Sequence, residues 1–381
     1  MLPLFLSPQV GVVADLPHSG CSTVYRTTDF VHWRAITPPD PTLRGEPCPD
    51  IWTDASFVSP DEGWILGRDG GGSDTVLYRT LDGGRSWTRE PGGSTGSNGG
   101  WETIGFADAR FGWRQQFAGG SSRPYTLELT HDGGTTWSVA PAIGTHGGDQ
   151  NLPVVFATPS IAFAGDPLTY SDPSGPGYGP QSAVWRTTDE GNHWARATVT
   201  APSTLAKATA FYGLPHFFGG LGALPVTYTT ARGTWVAFYR STDSGITWTL
   251  ATLLATSSDL LPVPYGGTAP AHVMGAFPVV TVASPSTFWV IGTSTNGVRT
   301  VSVTHDAGGT WASTTTTGIP PYQPSTDEYA SQQGFVSLLE AAGPTRAWIE
   351  VTEGSDPSSQ TAVLLATRDG GKTWAPVRPS R

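Results

Sequence analysis

The sequence predicts an all-β chain, a seven-bladed β-propeller of four-stranded antiparallel blades, and three observations carry that expectation. A Thr/Ser-x-Asp-x-Gly-x-x-Trp signature recurs along the whole chain, and an apolar hairpin with a short turn precedes each copy. The composition suits short strands joined by turns. With 48 glycines, 33 prolines and 14% charged residues there is little room for long surface helices, and 15 tryptophans supply ring area for a large core.

The signature reads T-L-D-G-G-R-S-W around Asp82, T-H-D-G-G-T-T-W around Asp132 and T-T-D-E-G-N-H-W around Asp189. It continues as S-T-D-S-G-I-T-W around Asp243, T-H-D-A-G-G-T-W around Asp306 and T-R-D-G-G-K-T-W around Asp369. A degenerate first copy, T-T-D-F-V-H-W around Asp29, is shorter between Asp and Trp and lacks the glycine. Glycine permits a positive-φ turn, the carboxylate accepts backbone N–H groups across the hairpin, and the Trp ring fills space between sheets. The Ser or Thr hydroxyl binds the Asp or a nearby backbone group. Each copy tightens one outer hairpin, so the seven aspartates are expected to be structural and none is assigned to catalysis.

The hairpin before each signature sets the blade register. It reads A-S-F-V-S-P-D-E-G-W-I-L-G at 55–67 and I-G-F-A-D-A-R-F-G-W at 104–113, with related segments at 154–165, 280–292 and 338–350. A weaker copy surrounds Phe211 to Phe218, and residues 4–13 align with 57–66. This hairpin forms strands A and B of a blade, and the Asp turn joins C to D. The expected organisation is one domain over 1–381, with blades at 2–37, 52–90, 101–140, 152–199, 207–252, 276–316 and 334–378.

These copies resemble the Asp-box (BNR-type) repeat shared by sialidases, xyloglucanases, sortilin-type receptors and photosystem II assembly factors, and the resemblance covers the whole chain. The assembly-factor group is the most similar, because its repeats also pair an F-x-D/P-x-x-x-G-W segment with D-G-G-x-T-W. The sialidase branch implies three arginines for a substrate carboxylate, a tyrosine nucleophile with a glutamate, and an acid/base aspartate. No F/Y-R-I-P motif is present to supply the first arginine. Arg26, Arg79, Arg186 and Arg240 each stand three residues before a repeat Asp, which marks them as strand residues. The seven blades also differ from the sialidase six, and xyloglucanases of this repeat type use two propellers facing across a cleft.

In such a blade the A–B and C–D turns share one end, and the B–C and D–A connections share the other. The B–C segments at 166–182 and 219–234 and the D–A segments at 253–275 and 313–333 are long and variable, so their end is the expected working face. Candidate ligand contacts there are Tyr170, Tyr178, Tyr228, Tyr265, Tyr322 and Tyr329, with Trp52 and Trp101 near the start of strands A. Such rings suit sugars or peptide side chains, although the commoner role of loop aromatics is to cap the core or pack between loops. Candidate acids are Asp54, Glu102 and Asp149, with Asp50, Asp166, Asp327 and Glu328. Two carboxylates at suitable separation permit glycoside hydrolysis, whereas solvated loop acids do nothing. The expected function is a non-catalytic binding or assembly propeller for a protein or glycan; the alternative is a glycoside hydrolase.

A formal charge of −10 without a basic run excludes nucleic acid as a partner. No apolar stretch approaches the roughly 20 residues of a membrane helix, and the protein is expected to be a monomer. Neither a cofactor nor a metal is expected. The eight histidines lack zinc-ligand spacing, and D-G-G-G-S-D at 69–74 lacks the downstream glutamate of a calcium loop. Cys21 falls in the first B–C connection and Cys48 in the first D–A connection. Their placement on one face predicts a disulfide closing about 27 residues and contributing roughly 3 kcal/mol, and hence an extracellular or periplasmic protein; the alternative is a pair of buried free thiols. The opening M-L-P-L-F-L is not itself a signal peptide, so export requires one already removed.

Overall fold

Strands rich in Val, Ile, Leu and aromatic residues alternate with Gly- and Asp-rich turns, and they pair with their sequence neighbours into consecutive sheets. The computed structural model describes residues 2–5, 10–15, 23–29, 32–36, 51–68, 75–91, 102–116, 126–141, 154–165, 184–230, 232–256, 262–264, 270–272, 278–294, 297–321, 334–353 and 361–377. The first sheet comprises β1 (Leu2–Phe5), β2 (Gly11–Asp15), β3 (Thr23–Thr27) and β4 (Trp33–Ala35). The second comprises β5 (Ile51–Phe57), β6 (Gly63–Arg68), β7 (Thr75–Thr80) and β8 (Thr88–Glu90). The third has β9 (Glu102–Phe106), β10 (Gly112–Gln116), β11 (Thr126–Thr130) and β12 (Ser138–Val139); the fourth has β13 (Val154–Phe156), β14 (Ala162–Ala164), β15 (Trp185–Thr187) and β16 (Ala195–Arg196).

The fifth sheet contains β17 (Thr198–Val199), β18 (Thr209–Tyr212), β19 (His216–Phe218), β20 (Leu221–Thr230), β21 (Gly233–Ser241) and β22 (Thr247–Ala255). A separate hairpin, β23 (Pro262–Pro264) with β24 (Pro270–His272), follows it. The sixth sheet is β25 (Val279–Ser284), β26 (Thr287–Thr293), β27 (Arg299–Thr304) and β28 (Ala312–Thr315). The seventh is β29 (Val336–Ala341), β30 (Ala347–Glu353), β31 (Thr361–Thr367) and β32 (Ala375–Pro376). The fold class is the seven-bladed β-propeller with four-stranded antiparallel blades. No described helix is long and apolar enough to cross a membrane.

Blade five departs from the repeat. Its strand A is broken into β18 and β19, both antiparallel to β20, and β17 adds a parallel strand along β22. The segment 219–234, expected to be a long connection, is instead mostly ladder: β20 and β21 pair from Gly222↔Ser241 to Thr230↔Gly233. Its glycines and Pro225 carry the local signal of a loop. Residues 222–229 are nevertheless all buried, and burial on both faces of the sheet outweighs that signal.

The chain divides into two compact units, the first containing blades one to four and the second blades five to seven. In the first unit, alternate residues of one strand serve opposite neighbours. Ile65 packs with Val76 and Tyr78 against Val12, Val24 and Ile36 of blade one, while Trp64, Leu66 and Leu77 pack against Ile104 and Phe106 of blade three. Trp64 stacks on Phe106 with ring centroids 3.7 Å apart. Phe111, Trp113, Leu127 and Leu129 then meet Val154, Phe156 and Ala162. In the second unit, Phe238 stacks on Phe288 at 4.4 Å, and Trp289, Ile291, Val301 and Val303 pack on Leu339, Ile349, Val351 and Leu365. Each such fully buried side chain stabilises by about 1.5–3 kcal/mol, which makes these inter-sheet layers the main source of cohesion.

Candidate functional site

One backbone hydrogen bond ties the A–B and C–D turns of a blade together. Gly83 N–H donates to Asp61 O at 2.8 Å, Gly133 to Arg110 O at 2.9 Å, Glu190 to Ser160 O at 3.3 Å, Ala307 to Ser286 O at 2.9 Å and Gly370 to Thr345 O at 3.1 Å. These two turns therefore share an end of the sheet, and the B–C and D–A connections leave from the opposite end.

The turn end consumes its own polar groups. In blade two, Asp82 Oδ1 accepts the N–H groups of Arg85 and Ser86, both at 2.8 Å, and Oδ2 accepts the Ser86 hydroxyl at 2.7 Å. Thr80 Oγ1 donates to Asp82 and accepts the Gly84 N–H at 2.8 Å. Asp132, Asp243, Asp306 and Asp369 repeat the pattern with Thr136, Thr247, Thr310 and Thr373. Histidine replaces the hydroxyl twice: His32 Nδ1 lies 2.7 Å from Asp29 Oδ2, and His193 Nδ1 lies 2.6 Å from Asp189 Oδ2. The backbone and hydroxyl of Ser86 hold Asp82 at about 2, and the ring and backbone of His193 do the same for Asp189. A carboxylate this committed is a poor general base at neutral pH.

The arginine before the turn reaches the next blade. Arg79 Nη2 donates to Glu62 Oε1 at 2.5 Å within its blade and to Ala109 O at 3.1 Å in blade three, and Arg26 Nη2 donates to Pro60 O at 2.9 Å in blade two. Gly133 lies beneath Arg79 with φ at 76°, and a Cβ there would meet Arg79 Nη1 at 2.7 Å. Arg26, Arg79, Arg186 and Arg240 all lie within strands, as their shared repeat position implies.

Two predicted site residues have described side chains. Asp54, on β5, accepts the Ala55 N–H at 2.8 Å through Oδ1 and the Ile104 N–H of β9 at 2.9 Å through Oδ2. Ser56, two positions along, accepts the Phe106 N–H at 2.9 Å, so the pair substitutes for a missing ladder between strands A of adjacent blades. Burial pushes the Asp54 carboxyl up to about 6 against the lowering effect of its two N–H bonds. Tyr228 lies on β20 rather than on a connection, and it is 1% exposed. Its hydroxyl lies 2.7 Å from that of Tyr239, which donates to Thr200 O at 3.0 Å.

Trp52 and Glu102 lie on β5 and β9, and their side chains fall outside the described residues. Cys21, Cys48, Asp50, Trp101, Asp149, Asp166, Tyr170, Tyr178, Tyr265, Tyr322, Asp327, Glu328 and Tyr329 also lie outside them. Two further titratable groups on strands A had no place among the candidates. Burial raises Glu340 of β29 to about 7 and lowers His216 of β19 to about 4. Both occupy the hairpin position of Ser56, since Ser56 pairs with Trp64, Glu340 with Trp348 and His216 with Ala223. The available signal was a polar residue where the hairpin repeat places a strand. Among the described residues no three His, Cys, Asp or Glu side chains form a metal-sized cluster.

What this architecture defines is a propeller-class chain whose described turn-end aspartates are hydrogen-bonded within their own turns. No known protein family and no curated protein matches it. Among solved structures it is similar to prolyl endopeptidases, with a TM-score of 0.53 and 10% identity over 96% of this chain and 49% of that one. This chain thus spans about half of those enzymes, and the likeness concerns the fold. YCF48 from Cyanidioschyzon merolae is similar at a TM-score of 0.46 and 16% identity, covering 86% of this chain and 84% of that one. The fucose-specific lectin from Aleuria aurantia is similar at 0.42 and 8%, covering 80% and 90%.

Proposed function

We propose that this chain is a non-catalytic Asp-box propeller that binds a protein or glycan through the end formed by its B–C and D–A connections. The observation that supports this reading is the structural commitment of the polar groups at hand. The carboxylate of Asp54 serves two backbone N–H groups, Tyr228 is buried against Tyr239, and the repeat aspartates close their own turns. The sequence adds Tyr170, Tyr178, Tyr265 and Tyr322 in its long segments at 166–182, 253–275 and 313–333, and rings of this kind suit stacking on sugars or peptide side chains.

A glycan array combined with an oligosaccharide hydrolysis panel tests the reading. Binding without turnover, weakened by Tyr170→Ala, Tyr178→Ala or Tyr265→Ala, supports it. Turnover abolished by replacing Asp54, Glu102 or Asp149 replaces it with a glycoside hydrolase. The same reading makes the chain a monomer outside the cytoplasm with Cys21 joined to Cys48, a bridge that unreduced peptide mapping detects. Free thiols in oxidised protein would remove both the bridge and the case for export.

A further inference from the structure

The chain enters blade five along its outer edge. After Val199, Thr200 offers its carbonyl to the Tyr239 hydroxyl at 3.0 Å, and a single 3-10 turn, Ser203–Leu205, leads into β18. That turn is closed by Leu205 N–H on Pro202 O at 2.8 Å, and Ala208 N–H then bonds Leu205 O at 2.9 Å. β17 itself pairs with β22 only through Thr198↔Thr247 and Val199↔Trp248, and in parallel, the less stable arrangement per residue. The ladder beneath is far more extensive, with β20 and β21 in register over the whole span from Gly222 to Thr230.

Tyr228 and Tyr239 lie on one face of that ladder. Between their rows lies the Val226↔Ala237 pair, with Tyr212 opposite Val226 on the same face. The short Ala237 side chain leaves space for the two rings to lean toward each other until their hydroxyls meet. All three tyrosines are buried, and the hydroxyl chain from Tyr228 through Tyr239 ends on Thr200 O, outside the ladder.

We propose that residues 197–208 form a strap that opens as one unit while the blade stays folded, and that the Tyr239 hydroxyl, backed by Tyr228, is its latch. Regions held by few ladder bonds open at lower free energy than the core, and a phenol bonded to a strap carbonyl adds directly to that local cost. Opening uncovers the Thr247–Trp248 edge of β22 and frees the Tyr239 hydroxyl from the Thr200 carbonyl, while its contact with Tyr228 stays inside the folded blade.

Hydrogen-exchange mass spectrometry of the full chain tests this. In the parent protein, peptides from 197–208 exchange faster than those from β20 and β21. Tyr239→Phe keeps the ring and removes the latch, so exchange in the strap rises roughly fivefold while β20 and β21 are unchanged. Tyr228→Phe leaves the bond to Thr200 in place and changes strap exchange much less. The double variant avoids leaving a buried hydroxyl without its partner and matches Tyr239→Phe. An unchanged strap in both Tyr239→Phe and the double variant overturns the latch, and equal acceleration of β20 and β21 overturns local opening.

Discussion

Asp54 and Ile104 join two strands that share no ladder: Asp54 Oδ2 of β5 accepts the Ile104 backbone N–H of β9 at 2.9 Å. Ser56 and Phe106 repeat the contact one pleat further on. A strand edge that meets a neighbouring sheet has N–H groups to satisfy, and here side-chain oxygens do so at the strand's own two-residue period.

Replacing Asp54 with Ala leaves the Ile104 N–H without its acceptor and destabilises by about 1–3 kcal/mol; Ser56→Ala costs about 1 kcal/mol. Urea denaturation measures both. An Asp54→Ala variant as stable as its parent contradicts the clasp and frees that carboxylate for chemistry.

Asp132→Ala strands the Thr136 N–H and hydroxyl and loosens the third-blade turn, at a cost on the order of 1–3 kcal/mol. Ligand binding at the far end is unaffected. Melting temperatures unchanged for Asp132→Ala and for the matching Asp243→Ala variant would refute the structural role.

Gly133→Ala combines a left-handed backbone, costing about 1–2 kcal/mol, with a methyl 2.7 Å from Arg79 Nη1 and 3.0 Å from Ala109 O. The Arg79 clash is removable in principle by Arg79→Ala and the backbone penalty is not. The double variant should therefore be more stable than the sum of the single losses, and strict additivity in a thermal double-mutant cycle refutes the contact.

Glu340 holds its proton up to about pH 7 in the folded chain, whereas an unfolded glutamate loses it near 4.5. Between those values the folded state binds more protons, so this group's contribution falls as pH rises through the window. Glu340→Gln should therefore be near neutral at pH 4.5 and stabilising by about 1–3 kcal/mol at pH 8. A difference between variant and parent that does not change with pH removes the buried-acid reading.

His216 acts with the opposite sign. Its folded value of about 4 lies below the unfolded 6.5, so the unfolded chain binds more protons between them and stability falls as pH drops through that range. His216→Phe flattens this part of the pH–stability profile. A profile between pH 6.5 and 4 identical to the parent's would show that the imidazole is solvated.

Seven sheets, their order and the turn chemistry were legible in the chain itself. The bonds that close each Asp turn span at most four residues, as Asp82 shows with Ser86, and strand alternation is equally local. Segment 219–234 reads in sequence as a connection because Gly220, Gly222 and Pro225 signal a break locally. Burial on both faces and a long ladder with β21 made it strand, and sequence spacing does not register either effect.

Sequence by itself determined the class of fold and which residues close its turns, because those interactions are repeated and short in range. Tertiary structure alone decided what the unrepeated polar residues do. Asp54 finds its acceptor role with a residue 50 positions away, Arg79 reaches a carbonyl 30 positions away, and Tyr239 latches onto a carbonyl 39 positions away. Each partnership depends on how one sheet or strap packs against the next, and packing brings together atoms that no local pattern relates.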